Sequence, residues 1–330
     1  MASDECVLDW RGLDMTTRAI SRAAIKCFVT LGFFVIRGAI PASEVTHFMS
    51  VAGLDDGDVT KLVNDAHWIS GVDIPSLSAL VETSANSILG HNLWSPIGTP
   101  SLTRAATQSR MILTKPKFQV CAVGTAHLDV GVQVGTEFLN HSRSVASKEH
   151  WKAYPWNSTS HQSYTNAVKW SIKHGTRHGQ GTDAQFASLP LHSRSPRLGL
   201  TVLTIFTDTG TRDGPTILVP RSHKEIVRRL KAAGDVWLNE WETNELSQDI
   251  QHSASELYHF TGKAGDSVVM HPLMVHSRNT FLGAPTYPSL EHKKLVEGYN
   301  AFRLLAQTAV FMRRNTDLET LGEESLKYAT

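Results

Sequence analysis

The stretch GDSVVMHPLMVHSRN, residues 265–279, decides the fold prediction. It opens on a Gly-Asp turn signal and continues with two short apolar runs that meet at Pro272. Apolar runs of this length, bounded by turn residues, are typical of buried strands. The stretch therefore predicts a pair of strands, at 265–271 and 272–277, with His276 at the end of the second.

A second motif lies far upstream, where the predicted strand 117–123 runs into the triplet His127-Leu128-Asp129. In a strand, residues i and i+2 point to the same face, so the imidazole and the carboxylate aim at one point. Two histidines and one carboxylate on one face of an octahedron leave three open positions, which is the ligand set of non-haem Fe(II) oxygenases. His276 supplies the distant histidine, so we predict a metal site at His127, Asp129 and His276.

Simpler interpretations exist for these residues. An isolated His-x-Asp is common, and an ordinary histidine at a strand edge beside a solvated aspartate would look the same. His271 competes with His276 for the third ligand, although a strand that ends at Pro272 makes it a pocket residue. His223 fits either a pocket or a turn-capping role. Zinc takes the same nitrogens and oxygens, so a zinc hydrolase stays an alternative.

The rest of the chain predicts helices at the front and a largely antiparallel double sheet behind, in one domain that spans 1–330. Arg18–Leu31 has helical spacing, with Thr16 or Thr17 as its cap and Gly32 as its stop. The other predicted elements are a strand at 32–38, a helix from Pro41, strands at 198–206 and 213–220, a polar helical stretch at 224–250, and a strand or helix at 299–312. Residues 54–110 give no clear pattern.

Residues 140–195 are rich in Ser, Thr, His and Gln, and a polar stretch of this length inside a compact domain predicts a lid-like insertion. Trp151, Trp156 and Trp170 would line a substrate mouth or anchor the lid to the core. The histidines of this stretch are irregularly spaced, which favours a solvated lid over a second metal site.

Composition excludes several classes of protein. With 32 basic and 31 acidic residues, the net charge is +1, which argues against a nucleic-acid binder. No apolar run approaches the roughly 20 residues that a membrane span needs. The three cysteines, Cys6, Cys27 and Cys121, are few and far apart, so we expect no disulfide and a reducing, cytoplasmic setting.

Taken in order, the motifs resemble the phytanoyl-CoA dioxygenase family of Fe(II)- and 2-oxoglutarate-dependent oxygenases over roughly residues 28–312. GFFVIRGAIPASEV (32–45) is similar to the opening strand and helix of the family, and HLD (127–129) to its H-x-D. DGPTILVPRSH (213–223) resembles the N-G-x-L-x-x-x-P-G-S-H segment, with Asp213 and Arg221 where the family has Asn and Gly. GDSVVMHPLMVHSRN resembles the segment that carries the distal histidine.

The resemblance implies a mainly β fold with flanking helices and a double-stranded β-helix (jelly-roll, cupin-like) core over about 28–312. It implies Fe(II), 2-oxoglutarate and O2 as cofactor and cosubstrates, with His276 rather than His271 as the distal ligand. Arg303 corresponds to the residue that holds the far carboxylate of 2-oxoglutarate. The threonine that binds the cosubstrate corresponds to Thr209 or Thr211.

The implied reaction is hydroxylation, desaturation or a related C–H oxidation of a small, partly apolar molecule, such as a secondary-metabolite intermediate. An acyl-CoA hydroxylase and a non-catalytic jelly-roll protein stay open as alternatives. Beyond a small-molecule substrate the sequence predicts no nucleic-acid or membrane partner. It leaves the oligomeric state open, with a homodimer as one option.

Overall fold

The computed structural model describes residues 4–51, 74–90, 110–114, 126, 128, 131–135, 184–188, 198–211, 213–234, 238, 240–278 and 303–311. Its helices are α1 (Arg22–Leu31), α2 (Ala42–Val51), α3 (Pro75–Leu89), α4 (Ser222–Ala233) and α5 (Glu240–Ser253), and two short 3-10 turns are formed by Asp4–Cys6 and Met15–Thr17. Its strands are β1 (Val7–Asp9), β2 (Phe33–Arg37), β3 (Arg110–Thr114), β4 (Gly131–Gly135), β5 (Ala184–Ser188), β6 (Leu198–Ile205), β7 (Thr216–Leu218), β8 (Tyr258–Phe260), β9 (Ser267–Met270), β10 (His276–Arg278) and β11 (Arg303–Phe311).

Helix α1 confirms the first predicted helix, although it begins later than expected. Its N-cap is Ser21, whose side chain accepts a hydrogen bond from the Ala24 N–H at 3.1 Å. Thr16 and Thr17 instead belong to a separate 3-10 turn. Gly32 ends α1 in the left-handed region, at φ 91°, as the sequence predicts.

The largest sheet has the strand order β1-β2-β9-β6-β11-β3. Strands β1 and β2 are parallel, and the other neighbours in this main sheet are antiparallel. A smaller antiparallel sheet has the order β10-β7-β8, and β4 pairs with β5. Within the segment 299–312, for which the sequence left strand and helix open, residues Arg303–Phe311 form strand β11.

The small sheet packs on one face of the main sheet. The residues between them form what we call the inter-sheet cluster, to which both sheets contribute: Phe33, Val35, Leu203, Ile205, Leu218, Phe260, Val268, Met270, Met274 and Leu305. The Phe33 ring of the main sheet lies 4.8 Å from the Tyr258 ring of the small sheet. The opposite face of the main sheet packs on α1, α2 and α3. Mixed sheets with flanking helices are therefore present, as predicted.

A third group of apolar residues, the outer cluster, lies beside the small sheet, at the residues that follow β7 and precede β10. It joins α4 and α5 to the turn before β10, and its members are Ala126, Leu128, Val219, Ile226, Leu230, Ile250 and Val275. Helices α4 and α5 thus pack beside the small sheet, at the end where β7 stops and β10 starts.

Several predicted boundaries were wrong. Residues 272–275 form a turn rather than a strand, because Met274 N–H bonds back to the His271 carbonyl at 2.9 Å, and β10 begins only at His276. The stretch 224–250 divides into α4 and α5. Helix α3 lies within the segment where the sequence gave no clear pattern. The predicted strand 117–123, and the insertion 140–195 apart from β5, lie outside the described residues.

The prediction that the cysteines form no disulfide is also wrong. Cys6 and Cys27 are bonded, with their Cα atoms 5.6 Å apart. The 3-10 turn before β1 brings Cys6 against the buried side of α1, a proximity that their spacing of 21 residues does not reveal. Because a persistent disulfide is typical of oxidising compartments, the premise for a reducing setting no longer holds.

Asp266 joins the N-terminal segment to the turn before β9. Its carboxylate, 1% exposed, accepts hydrogen bonds from Arg11 Nη2 at 2.9 Å and Arg37 Nη1 at 2.9 Å. The backbone N–H groups of Gly38 and Lys263 donate at 2.8 and 2.9 Å. A buried carboxylate needs such donors, so this network holds the edge of the main sheet together.

None of the helices in the described ranges is long and apolar enough to cross a membrane.

Candidate active site

His276 is the first residue of β10 and lies directly opposite Leu218 of β7. Residues directly opposite each other in an antiparallel pair share a sheet face. Leu218 belongs to the inter-sheet cluster, so His276 lies on the strand face that is directed between the two sheets. Its side chain is 5% exposed, which puts the imidazole in a sheltered position.

The backbone turn before β10 orients the His276 ring. Nδ1 of His276 lies 3.0 Å from the carbonyl oxygen of Met274. When Nδ1–H donates to that carbonyl, Nε2 carries the lone pair of the neutral ring. This is the tautomer that a metal-binding histidine needs, and a backbone carbonyl is a usual partner for its other nitrogen.

Part of the H-L-D motif reaches the same region of the molecule. Ala126 and Leu128 are buried in the outer cluster, which also contains Val275, the residue before His276. The predicted ligands His127 and Asp129 lie outside the described residues. Within the described part of the chain no group of three His, Cys, Asp or Glu residues is placed to hold a metal ion.

His271, the competing ligand, packs elsewhere. Its ring centroid lies 5.0 Å from that of His223 and 5.8 Å from that of Phe28. Its Nδ1 accepts the Leu273 N–H at 3.1 Å. Burial lowers the pKa of His271 well below 6.5, and the neighbouring His223 lowers it further. His271 is therefore a neutral imidazole in the packing between α1 and the turn before β10.

His223 fits the turn-capping alternative. The fully buried ring lies with Nε2 3.1 Å from the carbonyl oxygen of Val29, in the last turn of α1. A donated Nε2–H satisfies one of the carbonyls that a helix end leaves open. Burial lowers the pKa of His223 to about 4, so the ring is neutral near pH 7. Its Nδ1 has no hydrogen-bond partner among the described residues.

Arg303 opens strand β11, opposite Thr114 of β3. It precedes Leu305 by two residues, and Leu305 belongs to the inter-sheet cluster. Because strand residues alternate between faces, position 303 falls on the face that is directed at the small sheet. Positions 303 and 276 thus lie on the strand faces that the two sheets direct at each other.

The two candidate threonines differ in exposure. Thr209 is 2% exposed, and its hydroxyl donates to the Thr207 carbonyl at 3.0 Å. Its backbone also exchanges two hydrogen bonds of 2.9 Å with Gly262. Thr211, by contrast, is exposed. The hydroxyl proton of Thr209 is engaged within the loop, so only its acceptor lone pairs stay open to a ligand.

Sequence reasoning treated PRSH as one motif and did not single out Ser222. In the structure its hydroxyl accepts the Val275 N–H at 2.8 Å, immediately before His276. The signal was present, since Ser222 belongs to a segment with family resemblance, but its partner lies 53 residues away.

The family model for Phytanoyl-CoA dioxygenase (PhyH) matches residues 131–279. The predicted resemblance to the phytanoyl-CoA dioxygenase family, a family of oxygenases, is therefore confirmed over these residues, which are a little under half of the chain. The matched residues include His276 and residues 220–223, with the sequence PRSH. His127, Asp129 and Arg303 lie outside them.

Three solved structures are among those to which this chain is similar. The non-heme alpha ketoglutarate dependent carbocyclase SnoK from nogalamycin biosynthesis is 16% identical, with a TM-score of 0.44 over 89% of this chain and 84% of SnoK. EctD from S. alaskensis, with 2-oxoglutarate and 5-hydroxyectoine, is 14% identical, with a TM-score of 0.44 over 91% and 81%. HygX from Streptomyces hygroscopicus, with nickel and 2-oxoglutarate bound, is 14% identical, with a TM-score of 0.42 over 89% and 87%.

No curated protein matches the chain.

Proposed function

We propose that this protein is an Fe(II)- and 2-oxoglutarate-dependent oxygenase whose metal is held by His127, Asp129 and His276. One observation carries the proposal. Within the segment that matches the oxygenase family, His276 occupies a sheltered position on the inner face of β10, with Nδ1 directed at the Met274 carbonyl. A histidine held in this way is suited to bind a metal through Nε2.

The other two ligands follow from the alternation of side chains. Ala126 and Leu128 lie in the outer cluster together with Val275. In an extended H-L-D segment, residues 127 and 129 point away from Leu128, just as His276 points away from Val275. This arrangement supports a site in which all three ligands face the space between the sheets. Its donor set, two nitrogens and a carboxylate, suits Fe(II).

Arg303 is the proposed partner of the far carboxylate of 2-oxoglutarate. The planar guanidinium is suited to bidentate recognition of a carboxylate. A structural carboxylate such as Asp266 would be the alternative partner for this arginine, but the Asp266 carboxylate is already engaged by Arg11 and Arg37. Thr209 and Thr211 remain candidates for a further contact to the cosubstrate. Thr209 would have to act as a hydrogen-bond acceptor, whereas Thr211 is exposed.

The bound metal, with 2-oxoglutarate and O2, supplies the oxidising chemistry. The residues of the chain bind and orient. His276 is presented as a neutral ligand, and Asp129 adds the negative charge that the cation requires. The apolar inter-sheet cluster keeps water from the floor of the site.

For the fold we propose that the two packed sheets form a double-stranded β-helix in a single domain over 1–330, with 140–195 as a lid-like insertion. The substrate is proposed to be a small, partly apolar metabolite, such as a secondary-metabolite intermediate. A homodimer is one option for the assembly. The cytoplasmic location stays a prediction whose premise, free cysteines, is removed by the Cys6–Cys27 bond.

Metal-linked binding of 2-oxoglutarate tests the proposal against its alternatives. We expect 2-oxoglutarate to raise the melting temperature only when Fe(II) or Mn(II) is present, because the cosubstrate chelates the metal. A zinc hydrolase or a non-catalytic sheet protein should show no such joint requirement. Turnover of an acyl-CoA in preference to free small molecules would point to the acyl-CoA hydroxylase.

The choice between the two histidines is tested by substitution. His276→Ala should abolish metal binding, whereas His271→Ala should leave metal affinity within a few fold and act on stability. His252→Ala, at an exposed position in the last turn of α5, is the matched control. Metal binding by His276→Ala together with its loss in His271→Ala would overturn the assignment.

The role of Arg303 is tested by the Michaelis constant for the cosubstrate. Arg303→Leu removes a charge-assisted bidentate contact worth on the order of 2–4 kcal/mol, so KM for 2-oxoglutarate should rise roughly 30- to 1000-fold. Arg228→Leu on the exposed side of α4 should leave it unchanged. An unchanged KM in the Arg303 variant would remove this residue from the site.

A further inference from the structure

We propose that Ser222 is a positioning residue. It holds the proposed metal ligand His276 in its orientation by binding Met274 and Val275, the two residues that precede His276. The proposal rests on the proposed function, since it takes His276 to be a ligand. Ser222 begins helix α4, 53 residues before Val275, and only 2% of its side chain is exposed.

The single hydroxyl of Ser222 serves two residues of the turn before β10. Its oxygen accepts the Val275 N–H at 2.8 Å. Its hydrogen is directed at the Met274 sulfur, with Oγ and Sδ 3.3 Å apart. The Val275 N–H is buried, and an unsatisfied buried N–H would be costly, so this bond holds the backbone in place.

The same turn sets the orientation of the His276 ring. The Met274 carbonyl is the partner of His276 Nδ1, and the Val275 carbonyl accepts the Val219 N–H at 3.0 Å. The Ser222 hydroxyl therefore binds the side chain of Met274 and the backbone N–H of Val275. Met274 carries the carbonyl that selects the tautomer of the His276 ring. Val275 is joined to His276 by the next peptide bond.

The corner that carries Ser222 is itself held firmly. Arg221 has φ 68°, and it is the non-glycine residue with positive φ among those that the structure describes. Its N–H donates to the Leu31 carbonyl at 2.8 Å, at the end of α1. The Ser222 N–H closes the corner on Val219 at 3.1 Å. A non-glycine residue keeps a left-handed backbone conformation only where the surrounding contacts hold it there. The corner is therefore a rigid support.

Loss of the hydroxyl should therefore act on metal affinity rather than on the fold alone. Residues that orient metal ligands typically contribute 10- to 100-fold to affinity. We expect Ser222→Ala to weaken binding of Mn(II), used alone as the probe, by about 10-fold or more. Ser247→Ala is the matched control, because Ser247 is equally buried and donates to the Thr243 carbonyl within α5.

The experiment measures the Mn(II) dissociation constant by electron paramagnetic resonance, and the melting temperature in the presence of a chelator. The proposal expects weaker Mn(II) binding in Ser222→Ala but not in Ser247→Ala, for similar losses of melting temperature. Equal Mn(II) affinity in the two variants would overturn it. If His276→Ala binds Mn(II) as the wild type does, the ligand assignment fails instead.

Should Ser222→Ala not fold, Ser222→Cys decides the question. The thiol is nearly isosteric but is a weak hydrogen-bond acceptor. We expect its Mn(II) affinity to fall in the same direction, whereas Ser222→Thr, which keeps the hydroxyl, should restore it. Wild-type affinity in a folded Cys variant would refute the positioning role. The imidazole nitrogen NMR signals of metal-free protein add a second readout, because Ser222→Cys should mix the tautomers of His276.

Discussion

Lowering the pH from 6.5 to 4 should destabilise this protein through the buried pair of His223 and His271. Burial lowers the pKa of His223 from 6.5 to about 4. The unfolded chain therefore takes up this proton near pH 6.5, while the folded protein resists it until about pH 4. Between these values the unfolded chain binds more protons, so stability is full above pH 6.5 and is lost as the pH falls.

The magnitude follows from the shift. A shift of about 2.5 units at about 1.4 kcal/mol per unit gives a loss of about 3 kcal/mol from His223 alone. Near pH 5 the slope from this residue should be about 1 kcal/mol per pH unit. His271, whose pKa is also lowered by burial, adds to the loss in the same direction.

Urea unfolding at pH 7, 6 and 5, with a chelator present, measures this slope. His223→Gln removes the titrating group, while its amide N–H can still donate to the Val29 carbonyl. The variant should lose about 1 kcal/mol per pH unit of the wild-type slope near pH 5. His252→Gln, at an exposed position, should keep the full slope. A wild-type slope in His223→Gln would refute the reasoning.

Three further predictions concern stability in thermal or urea unfolding. Asp266→Ala leaves Arg37 and Arg11 without their buried carboxylate and should cost about 3–5 kcal/mol, whereas Asp9→Ala, which removes the exposed partner of Arg11, should cost at most about 1 kcal/mol. Reduction of the Cys6–Cys27 bond, which closes a loop of 21 residues, should cost about 3 kcal/mol, and Cys27→Ser should make the protein insensitive to reductant. Gly32→Ala places a methyl group 2.2 Å from Met274 Cε and 2.6 Å from His223 Nδ1, so it should lower the free energy of unfolding by about 2–4 kcal/mol. Gly12 also has positive φ but lies in open space, so Gly12→Ala should lower it by only about 1–2 kcal/mol. Equal losses for the two glycine variants would contradict the steric argument.

The parts of the fold that sequence predicted well are those with local signals. The segment from α1 to α2 follows from helical spacing, a glycine stop and a proline start, and the structure reproduces all three elements. Helix α3 has a proline start at Pro75 and a glycine stop at Gly90, but its apolar spacing is less clear, because its buried face includes Ser76 and Ser84 beside apolar residues. The disulfide was unpredictable from spacing, since Cys6 meets α1 only through the 3-10 turn before β1.

In the candidate site, too, some features have a local sequence signal and others depend on contacts between distant residues. His276 was predicted from its place after an apolar run, and the structure places it buried at the start of β10, while its role as a metal ligand stays a prediction. The Ser222–Val275 bond joins residues 53 positions apart, so only the packing of α4 against the turn reveals it. The role of Arg303 depends on strand register, which the sequence of β11 alone does not fix.

The pairing of β2 with β9 has a consequence for synthesis of the chain. Strand β2, with the sequence FFVIR, is completed at Arg37, while its neighbour β9 begins at Ser267, about 230 residues later. At about 5–20 residues per second, ribosomes need roughly 10–50 s to make the intervening chain. During that time this apolar strand has no partner for its edge that faces β9. The nascent chain thus exposes an apolar strand with an unpaired edge, which is prone to aggregate. The yield of folded protein in cells should therefore rise with the supply of chaperones that bind such segments.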